Sequence, residues 1–392
     1  MNIIIINTGS SSIKFQMLAM PDQKVICSGL VDRIGLGSSN LVYETQNTKV
    51  QEVLDIDNHE AGLKKISELL IDPKIGVIKD TSEIAAVGHR VVHGERFSDP
   101  MKITEKVKEK IKDLFLLAPL HNPAHLQGIN VAEEIFSDAE HIAVFDTAFF
   151  QTIPEVAHKY AIPNDIAEKY HIRQYGFHGT SHKFVSERAI EFLGVKESKI
   201  ITIHLGNGCS ITAVKDGKSI DHSMGFSPAN GLIMGTRSGD IDHSVVFYLN
   251  DLGFSVKEIS DLLQKKSGML GLTGYSDLRD IERLAEEGNK DCLLALAMNA
   301  YRIRKFIGAY TAAMGGLDAI VFTAGVGENS AYLRNLVCKD MEFFGIEIDE
   351  EKNSLRSKEI RAIHRDNSNT KILVVPTNEE LEIARQVYGL LN

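Results

Sequence analysis

The chain has 392 residues, enough for two or three domains at about 150 residues each, and its 43% hydrophobic and 24% charged residues exclude a disordered tail, a collagen-like chain or a small disulfide scaffold. The net charge of −10 argues against a nucleic-acid or anionic-membrane binder, so an anionic substrate would need cations gathered locally. The four cysteines, Cys27, Cys209, Cys292 and Cys338, form no Cys-x-x-Cys, and neither a signal peptide nor a membrane-length apolar run is present, which suits reduced thiols in a cytoplasmic protein.

In chain order, the β-branched run Ile3 to Ile6 predicts a buried strand. It ends in the small polar turn Asn7 to Ser12, and the alternating run Ile13 to Leu18 returns as the second arm of a hairpin. Val87 to His93 is strand-like. Glu105 to Leu117 carries Val107, Ile111, Leu114 and Leu117 at helical spacing. Ile142 to Phe145 is a strand ending at Asp146, and a domain boundary is expected near Asp146 to Pro154. Ser181 to Leu193 reads as a helix. The strand Ile200 to Ile203, the turn His204 to Gly208 and the return run Ser210 to Val214 repeat the opening hairpin, with Gly206 matching Gly9. A duplicated β-rich α/β domain is implied. Helices are predicted over Lys257 to Leu263, Asp280 to Leu284, Asp291 to Met314 and Glu379 to Leu391. Strands are predicted over Ala319 to Phe322 and Lys371 to Val375, and this mixture gives the class α/β.

Three glycine-rich turns follow strands: Asn7 to Ser12, His204 to Gly208 and Thr323 to Asn329. Small residues let backbone N–H groups approach phosphate oxygens, so together they point to a nucleotide. None is a standard fingerprint. Gly217-Lys218-Ser219 has Thr212 where a Walker loop needs glycine, and Gly325-x-Gly327 has Ser330 where a dinucleotide fold needs its third glycine. Three histidine pairs stand four apart: His89 and His93, His121 and His125, His178 and His182. Zinc is disfavoured, because one pair sits in a strand-like run and the others adjoin Asn122-Pro123 or Gly179. Arg90 and Arg237 have the fork that grips carboxylate or phosphate; a structural salt bridge is the plainer reading. Asp146, at a strand end, suits orienting a reactant or metal, or capping a helix. Glu379 and Glu380 open the last helix, where the dipole favours carboxylates.

Several long motifs then occur in one order: Asn7 to Phe15, Gly88 to Gly94, Ala118 to Pro123, Phe145 to Phe149, Tyr175 to His182, Gly235 to Asp240, Phe322 to Asn329 and Pro376 to Glu380. Together they resemble the acetokinase family of the actin/Hsp70/sugar-kinase superfamily, over nearly the whole chain. The resemblance implies ATP + acetate ⇌ ADP + acetyl phosphate with Mg²⁺ (or Mn²⁺), by direct in-line transfer. It implies two RNase H-like domains with a cleft between them, residues 1–147 with 381–392 and residues 148–380, and a homodimer. By the same resemblance Asp146, His178 and Arg237 are catalytic, and Arg90 binds the substrate carboxylate. The acyl pocket falls on Val92, Leu120, Phe177 and Pro228. Asn7 and Glu379 serve the metal, and Lys14 serves the nucleotide phosphates. The ATP site comprises His204, Leu205, Gly206, Asn207, Gly208, Asp277, Leu278, Arg279, Gly325, Val326, Gly327, Glu328 and Asn329. Acetate is ionised at neutral pH, so Asp146 is expected to orient rather than deprotonate.

The chain departs from the family pattern at Thr8, Glu95, Phe150, His222, His243 and Tyr275. Alternatives are a propionate or butyrate kinase of the same family, an ATP-dependent chaperone or filament protein of the superfamily, and a nicotinamide dehydrogenase.

Overall fold

A computed structural model describes residues 1–119 and 121–392. The opening hairpin forms as β1 (Asn2–Thr8) and β2 (Ser12–Ala19), antiparallel, with Asn7 opposite Lys14. It continues into β3 (Lys24–Asp32), β4 (Ser39–Thr45) and β5 (Lys49–Leu54). On its other side β1 pairs parallel with β6 (Ile84–Val91). An antiparallel edge strand β7 (Met101–Lys102) borders β8 (Glu140–Phe145), which is parallel to β6. The sheet order is β5-β4-β3-β2-β1-β6-β8-β7.

The plan then recurs. A second hairpin, β9 (Lys199–Leu205) and β10 (Cys209–Lys215), extends to β11 (Lys218–His222). β9 pairs parallel with β12 (Ala319–Thr323), and β12 with β14 (Lys371–Val374); β13 (Arg361–Ala362) is the antiparallel edge. The order β11-β10-β9-β12-β14-β13 matches β3-β2-β1-β6-β8-β7 strand for strand and direction for direction. The α/β class and the duplication expected from two Ile-rich hairpins are therefore present.

The chain divides into two compact units, Met1–Ala148 with Asn378–Asn392, and Phe149–Thr377. The helix Glu379–Leu391 belongs to the first because Ile383, Ala384 and Val387 bury against Ile3, Ile5, Ala86, Ile142 and Val144. Each large apolar side chain so buried stabilises by roughly 1.5–3 kcal/mol. Its N-cap Asn378 accepts from the Leu381 N–H, and its acidic first turn complements the dipole.

Three predicted elements differ from the reading above. Thr323 to Asn329, expected as a turn, is a helix over Ala324–Asn329. Ala324 takes φ 64°, so the chain turns within one residue and the glycines fall inside a helix. The segment after His121, expected to oppose helix, is the helix Asn122–Ile135, because Pro123 in a first turn forfeits no hydrogen bond. The helix from Glu105 stops at Asp113 and tightens into a 3₁₀ turn over Leu114–Leu116.

Candidate active-site groups

In the first unit, Asn7, Arg90 and Asp146 lie at the carboxyl ends of β1, β6 and β8, three adjacent parallel strands. Carboxyl ends are where open α/β sheets gather ligand groups. The Asp146 N–H donates to the Val91 carbonyl at 2.9 Å, which locks the two strand ends together. Arg90 then forks onto Asp146: Nε donates to Oδ1 at 3.2 Å and Nη2 donates to Oδ2. Glu379 Oε2 stands 3.6 Å from Arg90 Nε, and Glu380 pairs with Lys14 at 2.6 Å. Burial opposes the charge on Arg90, but Asp146, Glu379 and Glu380 outweigh it and hold its pKa above the usual value. Burial raises the Glu379 carboxyl, Arg90 pulling it down and Asp146 and Glu380 pushing it up.

Three carboxylates thus face two cations. That oxygen-rich, net-acidic donor set fits a hard divalent cation better than zinc. Among the described residues no three His, Cys, Asp or Glu side chains form a metal cage. Mg²⁺ characteristically needs none, taking one or two carboxylates plus substrate phosphates.

The surrounding loops are tied by side chains distant in sequence. Asn122 accepts from the His93 N–H at 3.2 Å and donates to the His93 carbonyl at 3.0 Å. Thr147 accepts from the Gly94 N–H at 3.0 Å, and the Val92 N–H donates to His125 Nδ1 at 3.3 Å. The buried Val92 side chain is thereby placed; Leu120 lies outside the described residues. Thr8, a departure from the family pattern, is buried, and a Cβ at Gly128 would fall 2.3 Å from its Oγ1.

In the second unit, β9 and β12 deliver Leu205, Gly206 and Ala324 to another set of carboxyl ends. A cavity of about 280 Å³ opens there. Of the residues expected at a nucleotide, Leu205, Gly206, Asn207, Asp277, Leu278 and Val326 line it. His204, Gly208, Arg279, Gly325, Gly327, Glu328 and Asn329 do not. Arg279 pairs with Asp277, which also caps the helix Leu278–Glu286 and whose carboxyl falls to about 2. The Glu328 carboxylate accepts from the Thr377 N–H at 3.1 Å. Sequence reasoning missed Cys209, Ile233, Met234, Gly235, Ser276, Met269, Asn299 and Leu333. They come from a strand, loops and helices far apart in the chain, and apart from Gly235, which opens the motif Gly235 to Asp240, they carry no local signal.

His178 precedes the helix Gly179–Leu193 at φ 62°, a left-handed conformation costly for a side-chain-bearing residue. Its Nδ1 shares a hydrogen bond with Ser210 Oγ at 2.9 Å, its ring stacks on His204 at 4.3 Å, and Gly208 lies beside its Nε2 edge. The paired histidine His182 is buried one turn along. Phe177 is buried and donates its N–H to His222 Nε2 at 3.2 Å. Phe150 packs on His222 at 4.2 Å, so two departures from the family pattern are one contact. Arg237 donates to the Pro228 carbonyl at 2.8 Å. Among the described residues no carboxylate pairs with it. Burial pushes its pKa down, as expected for a cation with no counter-ion.

The Acetokinase family matches the chain over residues 2–385. A curated acetate kinase from Flavobacterium johnsoniae is 67% identical over the full length of both chains. The crystal structure of Porphyromonas gingivalis acetate kinase superposes with a TM-score of 0.94 at 46% identity, covering all of both chains. A propionate kinase from Francisella tularensis superposes at 0.92 with 42% identity over 98% of each chain.

Proposed function

The chain belongs to the acetokinase family, and from that premise we propose that it is an acetate kinase, transferring the γ-phosphoryl of ATP reversibly to acetate. The observation that carries this reading is Arg237, a half-buried guanidinium without a carboxylate partner among the described residues, in the same unit as the cavity lined by Leu205, Gly206 and Asn207. A partly desolvated cation with no counter-ion is a poor structural element and a good phosphoryl-binding one.

Phosphoryl transfer needs alignment and charge neutralisation more than covalent chemistry. Arg90 is assigned to the acetate carboxylate. Its Nε and Nη2 are held by Asp146, and Nη1 has no partner among the described residues, which leaves a donor for substrate. Asp146 orients Arg90, and through it the acetate, as the attacking oxygen needs no deprotonation. Arg237 and His178 stabilise the transferring phosphoryl, Arg237 with its charge. Lys14 meets the phosphates, and the Leu205–Asn207 turn with Asp277, Leu278 and Val326 takes the rest of the nucleotide. Asn7 and Glu379 would hold Mg²⁺, which when bound supplies charge neutralisation between the phosphates. We take the two compact units as the two domains. A homodimer is supported by the helix Ser244–Asp251, which buries no residue and exposes Val245, Phe247 and Tyr248, and by exposed Leu293, Leu294 and Tyr301 on the helix Lys290–Met314. No helix among the described residues is long and apolar enough to cross a membrane, which accords with a cytoplasmic site of action.

The test is an ATP-plus-acetate assay in which hydroxylamine traps acyl phosphate, on wild type and Arg237→Ala. Acetate-dependent hydroxamate that falls by roughly 10²–10³ in kcat in the variant is expected. No hydroxamate with acetate, propionate or butyrate would overturn the assignment. The propionate kinase relative supports a second reading, to be decided by kcat/KM for the two acids.

A further inference from the structure

Behind His178 a single file of hydrogen bonds runs into the second unit. Ser210 Oγ meets His178 Nδ1 at 2.9 Å and His182 Nε2 at 2.7 Å. His182 Nδ1 in turn meets Thr202 Oγ1 at 2.7 Å. Ser210, His182 and Thr202 are each 0% exposed, so no water completes their bonding. The direction of such a file is set by its closed end.

Thr202 is that end. Its hydroxyl has no acceptor other than His182 among the described residues, so its proton points to His182 Nδ1. Burial, with His222 and His204 nearby, holds His182 well below its ordinary pKa and therefore neutral. With Nδ1 accepting, its one proton lies on Nε2 and donates to Ser210 Oγ. The Ser210 proton then has one acceptor left, His178 Nδ1. Reversing the file would strand the Thr202 proton in the interior, and protonating both His178 nitrogens would strand that of Ser210. Each stranded donor costs roughly 1–3 kcal/mol.

We propose that Thr202, His182 and Ser210 form a positioning relay that holds His178 neutral, with Nδ1 accepting and Nε2–H donating. The Nε2 edge lies beside Gly208, where a Cβ would sit 3.3 Å away, next to the turn whose Gly206 and Asn207 line the cavity. In this tautomer His178 carries a hydrogen-bond donor on Nε2 rather than a charge, and Arg237 supplies the charge. That the bond serves the transferring phosphoryl rests on the acetate kinase reading; the tautomer does not.

The experiment is ¹⁵N NMR of the full-length enzyme labelled at histidine, with the His178 signals assigned by His178→Gln. The wild type at pH 7 is expected to give the neutral Nε2–H pattern. Thr202→Val, which keeps the shape of the strand residue, and Ser210→Ala are expected to lose that uniform pattern. Ser210→Ala should lower kcat roughly tenfold or more, with KM for ATP and acetate within about twofold. A wild-type His178 carrying its proton on Nδ1, or on both nitrogens, overturns the relay. So does a tautomer unmoved by both substitutions, or a KM effect with kcat intact. Should either variant fail to fold, the wild-type spectrum still decides. The expected tautomer in an enzyme that forms no acyl phosphate would sink the functional reading and leave the relay standing.

Discussion

Arg90 forks its guanidinium onto the carboxylate of Asp146, joining the carboxyl ends of two neighbouring parallel strands. The pair sets the direction in which Arg90 presents its remaining donors. Replacing Asp146 with Asn keeps the shape but removes the charge that aims Arg90. We expect Asp146→Asn to lower kcat/KM for acetate by about 10²-fold, equal to about 2.7 kcal/mol, while KM for ATP changes little. Steady-state kinetics with each substrate varied in turn would test this; unchanged acetate kinetics would remove Asp146 from the acetate side.

Val92 is buried, and its N–H is held by His125. If it walls the acyl pocket, Val92→Ala should raise the propionate-to-acetate ratio of kcat/KM by about tenfold, as a methylene is worth about 1–3 kcal/mol. A ratio that stays put would move the pocket elsewhere.

Gly128 and Thr8 form a tight crossing, with no room for a Cβ at position 128. Gly128→Ala should destabilise by roughly 1–3 kcal/mol in urea unfolding. Thr8→Ala should recover most of that loss, because the clash is with the Thr8 side chain. Additive losses in the double variant would refute the pairing.

Gly235 donates its N–H to the Asn207 carbonyl at 2.9 Å, and a Cβ there would lie 2.0 Å from Asn207 Oδ1. Gly235→Ala must therefore displace Asn207 in the cavity wall. The expected result is KM for ATP raised about tenfold, with KM for acetate unchanged.

Burial lowers His93 to about 4, and His125 and His222 to about 3, from an ordinary 6.5. The folded state keeps them neutral, while the unfolded chain takes up protons below about 6.5. Their contribution to stability is thus complete above pH 6.5 and is lost as pH falls toward 3 to 4. Each group costs about 1.4 kcal/mol per pH unit within that window. Urea unfolding at pH 7, 6 and 5 should show this fall, and His222→Gln should flatten it by about one proton. An equal slope in the variant would mean that His222 is not buried neutral.

The sequence by itself determined the α/β class, the two matching hairpins and the family. Strand periodicity and the order of long motifs are local properties, written residue by residue. The central strands and the last helix were legible in this way, and the motifs holding Arg90, Asp146, His178 and Arg237 carried the resemblance to the family. It did not reveal the helix Ala324–Asn329, because one alanine in a left-handed conformation turns the chain where glycines suggested a loop. Nor did it reveal Asn299 and Met269 in the cavity wall, or Ser210 and Thr202 behind His178, which look like ordinary helix and strand residues. Only the tertiary structure decided which carboxylate pairs with Arg90, that none among the described residues pairs with Arg237, and which hydroxyls stand behind His178. Those are questions of burial and of partners far apart in the chain, and hydrogen bonds there are fixed by what water cannot reach.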